Sequence, residues 1–189
     1  MSRMRYPIAC LLVVFCCWLH LPDTGLVITG ARAAAAPIDA ALAKITVEPA
    51  SRDRAVYPLP RTLTPLLPIW QAALQDALAR QGIFRPGASR RVTLVVKILE
   101  FSLSGNILSV FARYQLFGVP PGNPVFSTDV MSNVGLNSLA TGVTSLDDPG
   151  VATQNRAEVI RGIQDNITQF LDQLAVFAGQ PSGSAPPRP

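Results

Sequence analysis

The run RVTLVVKILEFSLS, residues 91–104, leaves little freedom to the rest of the chain. Val92, Leu94, Val96 and Ile98 alternate on even positions, the period of a strand with one buried face. From Leu99 the apolar residues continue on odd positions, with Phe101 and Leu103. A one-residue slip turns every later side chain to the other face unless an extra residue is looped out. The slip therefore marks a β-bulge near Ile98 and Leu99. Ser104-Gly105-Asn106 follows, a tight hairpin signal. ILSVFARYQLFG then resumes the alternation with Leu108, Val110, Ala112, Tyr114 and Leu116. VPPGNP turns the chain again, and VFSTDVMSNV reads as a more polar edge strand with Phe126, Val130 and Val134 on its apolar side.

Upstream, LAKITVEP sets Ile45 and Val47 against polar neighbours, a short strand. Pro58, Pro60, Pro65 and Pro68 crowd the next segment, which predicts extended loop. From Ile69 a helix is signalled, because Trp70, Ala73, Leu74, Ala77 and Leu78 fall on one stripe. Pro68 suits its first turn, and Gly82 is placed to end it in the left-handed conformation. Ile83 and Phe84 should fold back onto that end. Near the C-terminus Ile160, Ile163, Ile167, Phe170, Leu174 and Phe177 recur at spacings of three and four. The seam is too short for a coiled coil and predicts a helix laid across a sheet. Asp148 as N-cap with Pro149 after it predicts where that helix starts. Asn166 is expected to hydrogen-bond the loop before it.

The order is β-α-β-β-β-α, without internal repeats. The first strand, first helix and second strand should form a right-handed crossover, and the last three strands a meander. Each helix carries one apolar stripe, so both should cover one face of a mixed four-stranded sheet. The fold class is α+β, a two-layer domain. The opposite face should be solvated unless a partner covers it.

The ends change the chemistry available. Arg3 and Arg5 precede the apolar run PIACLLVVFCCWL, and Ala31-Arg32-Ala33 and Ala34-Ala35-Ala36 both fit an A-x-A cleavage site. Residues 1–36 are thus expected to be a signal peptide, with retention as a membrane anchor the alternative. A lipoprotein cysteine follows a small residue, whereas Cys16 follows Phe15 and Cys17 follows Cys16; Cys10 has too short an apolar core before it. Residues 37–178 then form one α+β domain, and residues 179–189, rich in Pro, Gly and Ser, a disordered tail.

Cleavage removes Cys10, Cys16, Cys17 and His20, the only cysteines and the only histidine. Disulfides, Ser-His-Asp or Cys-His catalysis and the usual zinc sites go with them. The formal charge of +4 falls by two, since Arg3, Arg5, Arg32 and Asp23 leave together. Arg90-Arg91 is the one basic pair that remains, and it reads as a solvated strand end rather than a nucleic-acid footprint. Asp147-Asp148 reads as a helix cap, while Glu48, Glu100 and Asp129 stand singly on strands and are expected to face solvent. No glycine pattern cradles a phosphate. No catalytic residue, metal site or cofactor is expected.

LQDALARQGIF, RRVTLVVKILEF and RGIQDNITQFLDQL, following an export signal, give the chain a layout over about residues 43–178. It resembles that of small periplasmic envelope proteins, the auxiliary lipoproteins of ABC-type lipid transport and the related lipopolysaccharide-assembly lipoproteins. The resemblance implies a non-enzymatic envelope component that binds another protein or a lipid, with possible membrane association. The chain departs from that family in lacking a lipobox cysteine. Two functions are compatible with the residues: a periplasmic binding or adaptor module for envelope assembly or lipid transport, and a secreted carboxylate-dependent hydrolase acting on a glycan or ester. For the first, the loop GLNSLATGVTSLDDPG supplies the partner contact, through Leu136, Leu139, Val143 and Leu146. The same side chains could instead pack beneath the domain.

Overall fold

A computed structural model describes residues 37–51, 55, 59–136, 146 and 155–180. Its elements are β1 (Ala41–Pro49), a 3-10 helix (Arg61–Leu66), α1 (Leu67–Gln81), β2 (Arg91–Ser104), β3 (Ile107–Gly118), β4 (Pro124–Gly135) and α2 (Arg156–Ala178). The strands form one four-stranded sheet in the order β1-β2-β3-β4. β1 runs parallel to β2, as a crossover through α1 requires, and the other neighbours are antiparallel. This is the expected mixed sheet of an α+β domain.

Local chemistry explains most boundaries. The register of β2 on β3 shifts between Ile98 and Glu100, the bulge announced by the apolar slip. Its effect is to keep Phe101 on the same face as Ile98, opposite Val110. Gly105 turns the β2–β3 hairpin at φ 58°, a conformation that costs glycine little. Gly82 caps α1 at the same φ, with its N–H bonded to the Ala79 carbonyl.

Two boundaries differ from expectation. The proline-rich segment is not extended throughout: Arg61–Leu66 winds into a 3-10 helix with Pro65 inside it. Proline's φ near −65° suits a 3-10 turn as well as an extended chain, so proline spacing alone does not separate the two. The long C-terminal helix begins at Arg156 after Asn155 as N-cap; Asp148 and Pro149 lie outside the described residues.

The core fills the space between one sheet face and the two helices. Trp70 and Leu74 of α1, Ile163, Ile167, Phe170 and Leu171 of α2, and Leu94, Ile98, Leu108, Tyr114 and Leu116 of the sheet are fully buried. Each such side chain contributes roughly 1.5–3 kcal/mol through lost apolar exposure. Phe170 stacks on the Tyr114 ring, with centroids 4.1 Å apart and planes 10° apart. Asn166, also fully buried, bonds the sheet rather than the loop before α2. Its Oδ1 accepts from the Tyr114 hydroxyl at 2.8 Å, and its Nδ2 donates to the Val110 and Val130 carbonyls, each at 3.1 Å.

On the opposite sheet face four side chains align in register across all four strands: Glu48, Lys97, Arg113 and Asp129. The outer carboxylates hold the inner cations, Lys97 to Glu48 at 3.1 Å and Arg113 to Asp129 through two bonds of 2.7 Å. The pairing offsets the repulsion of two cations placed side by side, and Asp129 keeps the Arg113 guanidinium firmly protonated by hydrogen bond and charge. Glu100 departs from expectation: it is buried, accepting a 2.5 Å bond from the Ser102 hydroxyl. The bulge beside it explains the change, because it re-aims the side chains that follow.

Candidate ligand-binding groove

β1 is an edge strand, paired only with β2 within the sheet. α1 buries Trp70, Ala73, Leu74, Ala77 and Leu78 toward the core. The adjoining flank of the same helix, through Leu67, Gln71, Gln75 and Leu78, overhangs β1. Between helix flank and strand lie two hollows. One, of about 430 Å³, is lined by Val47, Thr64, Leu67, Pro68, Gln71, Ala72 and Gln75. The other, of about 600 Å³, is lined by Pro37, Ala41, Leu42, Gln75, Leu78, Ala79, Gly82, Phe84, Arg85, Pro86 and Gly87. Gln75 borders both, so the two hollows adjoin along the α1–β1 seam and together form its groove.

The larger hollow is predominantly apolar, and backbone hydrogen bonds tie together the corner behind it. Gly82 lets the chain leave α1 in the left-handed conformation, and Ile83 and Phe84 fold back as their apolar character requires; Ile83 is fully buried. Residues 37–40 are then tied to this corner. Ile38 N–H donates to the Ile83 carbonyl at 2.7 Å, and Arg85 N–H donates to Ala40 O at 3.1 Å. Phe84 pairs with Ile38 as an isolated parallel bridge. At the rim Asp39 and Arg85 form an exposed ion pair of 3.0 Å. The arrangement can sequester an apolar chain with a polar or charged group left at the mouth. Its described lining includes no carboxylate.

The loop residues named from the sequence divide. Leu136 and Leu146 are buried in the main core cluster. Leu139 and Val143 lie outside the described residues, as do Asp147 and Asp148. Among the described residues no group of three or more His, Cys, Asp or Glu is placed to hold a metal, and no helix is long and apolar enough to cross a membrane. Sequence reading missed the groove. The available signal was Phe84, two residues after a helix-ending glycine, read there as packing and not as the lining of a site.

No family model matches the chain, and no curated protein matches it in sequence. Solved structures are similar to it in layout. A variant of PelC from Paraburkholderia phytofirmans, solved as a dodecamer, shares 12% identity at a TM-score of 0.44, over 77% of this chain and 96% of that one. Protein XCC0632 from Xanthomonas campestris, of family DUF330, shares 14% at 0.46, over 78% of this chain and 90% of its own. A minor lipoprotein from Acinetobacter baumannii shares 14% at 0.42, over 71% and 93%.

Proposed function

We propose that the chain is an exported, non-enzymatic envelope protein whose α1–β1 groove holds the acyl chain of a lipid. In this role it serves as a binding or adaptor module of envelope assembly or ABC-type lipid transport. The observation that carries the reading is the groove itself: its larger hollow of about 600 Å³ falls within the usual size of ligand sites, roughly 300–1,000 Å³, and is walled mainly by apolar side chains. Export rests on the N-terminal basic residues, apolar run and A-x-A sites. The alternative, a carboxylate-dependent hydrolase, needs acidic groups converging on a cleft. The described strand acids are engaged elsewhere, Glu48 with Lys97, Asp129 with Arg113 and Glu100 with Ser102.

Ala79 lines the groove from an exposed position on α1, so a bulky side chain there should fill the space without entering the core. Binding of a fluorescent fatty acid to the purified protein tests the reading. Ala79→Trp is expected to weaken binding at least about tenfold while the melting temperature stays within about two degrees. Undiminished binding by a folded Ala79→Trp protein would remove the groove from the function, as would a parent protein that binds no fatty acid.

A further inference from the structure

The larger hollow lies at one end of the domain, and that end carries an uneven charge. It is built from residues 37–40, 82–90 and 118–123, together with the start of β2. The charged side chains there are Arg85, Arg90 and Arg91 against Asp39 alone. Asp39 is taken by Arg85 at 3.0 Å, and Arg90 and Arg91 make no ion pair among the described residues. Beside them stands Val119, 51% exposed, its backbone N–H donating to the Arg91 carbonyl at 3.0 Å. The neighbouring Pro86, Pro120 and Pro121 are exposed as well.

We propose that this end docks on an anionic phospholipid bilayer, with Arg85, Arg90 and Arg91 against the headgroups and Val119 at the interface. Two observations converge on that partner. Charge complementarity is the first, since basic residues near an anionic leaflet each contribute about 1 kcal/mol. The second is where the preceding chain attaches. Pro37 lies at this end, lining the groove mouth, and the apolar run of residues 7–19 precedes it. The connecting residues reach at most about 60 Å when fully extended. A chain that keeps the run, the alternative to cleavage, is tethered to the membrane from its basic end. Docking through this end would bring the larger hollow beside the bilayer. The docking rests on these charges and not on groove occupancy.

Co-sedimentation of the full chain with vesicles tests it, comparing phosphatidylcholine alone with phosphatidylcholine plus phosphatidylglycerol. The parent should bind the mixed vesicles more tightly, and added salt should erase the difference. Arg90→Gln with Arg91→Gln should lose about 25-fold of that headgroup-dependent affinity, at about fivefold per residue. Arg161→Gln, on the exposed face of α2, should lose none. Both side chains in the double variant are exposed, so the melting temperature should hold and fatty-acid binding in the groove should persist. Equal affinity of the parent for the two vesicle types would overturn the docking surface, as would a double variant that keeps the parent's preference. Either result would leave the groove reading standing.

Discussion

At the scale of single residues, the polar group that most shapes the core is Asn166. Leaving one buried polar partner unpaired costs about 1–3 kcal/mol, so a fully buried amide persists only where its neighbours satisfy it. Here Tyr114, Val110 and Val130 do so, which fixes α2 on the sheet in both position and rotation. The Trp70 indole lies beside the same hydroxyl, though its N–H makes no hydrogen bond of normal geometry. Burial holds the Tyr114 hydroxyl protonated far above its usual value of 10.0, with Trp70 a smaller opposing influence. The sign of the linkage follows. A raised folded-state pKa leaves its stability fully present below pH about 10 and lost as pH rises further, because the unfolded chain ionises first. Urea midpoints should thus fall above pH about 10 in the parent. Tyr114→Phe should be less stable by about 1 kcal/mol at neutral pH and should show a smaller alkaline decline. An unchanged alkaline slope would show that Tyr114 is not the group responsible.

Among the elements, α2 packs directly on the sheet, and Gly162 permits a close approach. A Cβ at that position would lie 3.2 Å from Leu108 Cδ2 and 3.4 Å from Val110 Cγ2. The Ser132 hydroxyl donates to the Gly162 carbonyl at 3.0 Å, drawing β4 against the same turn. A Cβ there requires the Leu108 side chain to give by a few tenths of an ångström, and a larger side chain requires more. Gly162→Ala recovers about 1 kcal/mol of helix propensity, which partly offsets the crowding. Gly162→Val has no such compensation and should lower unfolding stability by about 2–3 kcal/mol, with the denaturant slope unchanged. A Gly162→Val variant as stable as its parent would mean that the helix does not sit this close.

For the whole molecule, the two layers leave unlike surfaces. Across the helix-free sheet face Lys97 and Arg113 are paired with carboxylates, whereas Arg90 and Arg91 at the end of the domain make no ion pair among the described residues. An exported role further requires that the N-terminal run be recognised. Cleavage at the A-x-A sites would leave a mature N-terminus between Ala34 and Pro37, and Pro37 itself lines the groove. N-terminal sequencing of protein recovered from the cell envelope should find it there. Met1 retained on protein recovered from the cytoplasm would defeat both the export reading and the function built on it.

What the sequence determined by itself was everything carried by short-range periodicity. Alternation in residues 92–98 and its slip at Leu99 specified a strand, its buried face and its bulge, because a period of two maps directly onto the two sides of a pleat. The stripe from Trp70 to Leu78 and the glycine after it specified α1 and its end for similarly local reasons. Tertiary structure decided the remainder. Tyr114 meets Asn166 across 52 positions, a match between one polar group on a strand and one on a helix that no repeat announces. Glu100, on a strand position that reads as solvent-facing, became buried beside the bulge. The groove needed Leu42 of β1 and Leu78, Phe84 and Pro86 around the end of α1 to share one seam. Periodicity records which side of an element is apolar. It does not record how far the overhanging flank stands from its neighbour, and that distance is set by packing across the whole core.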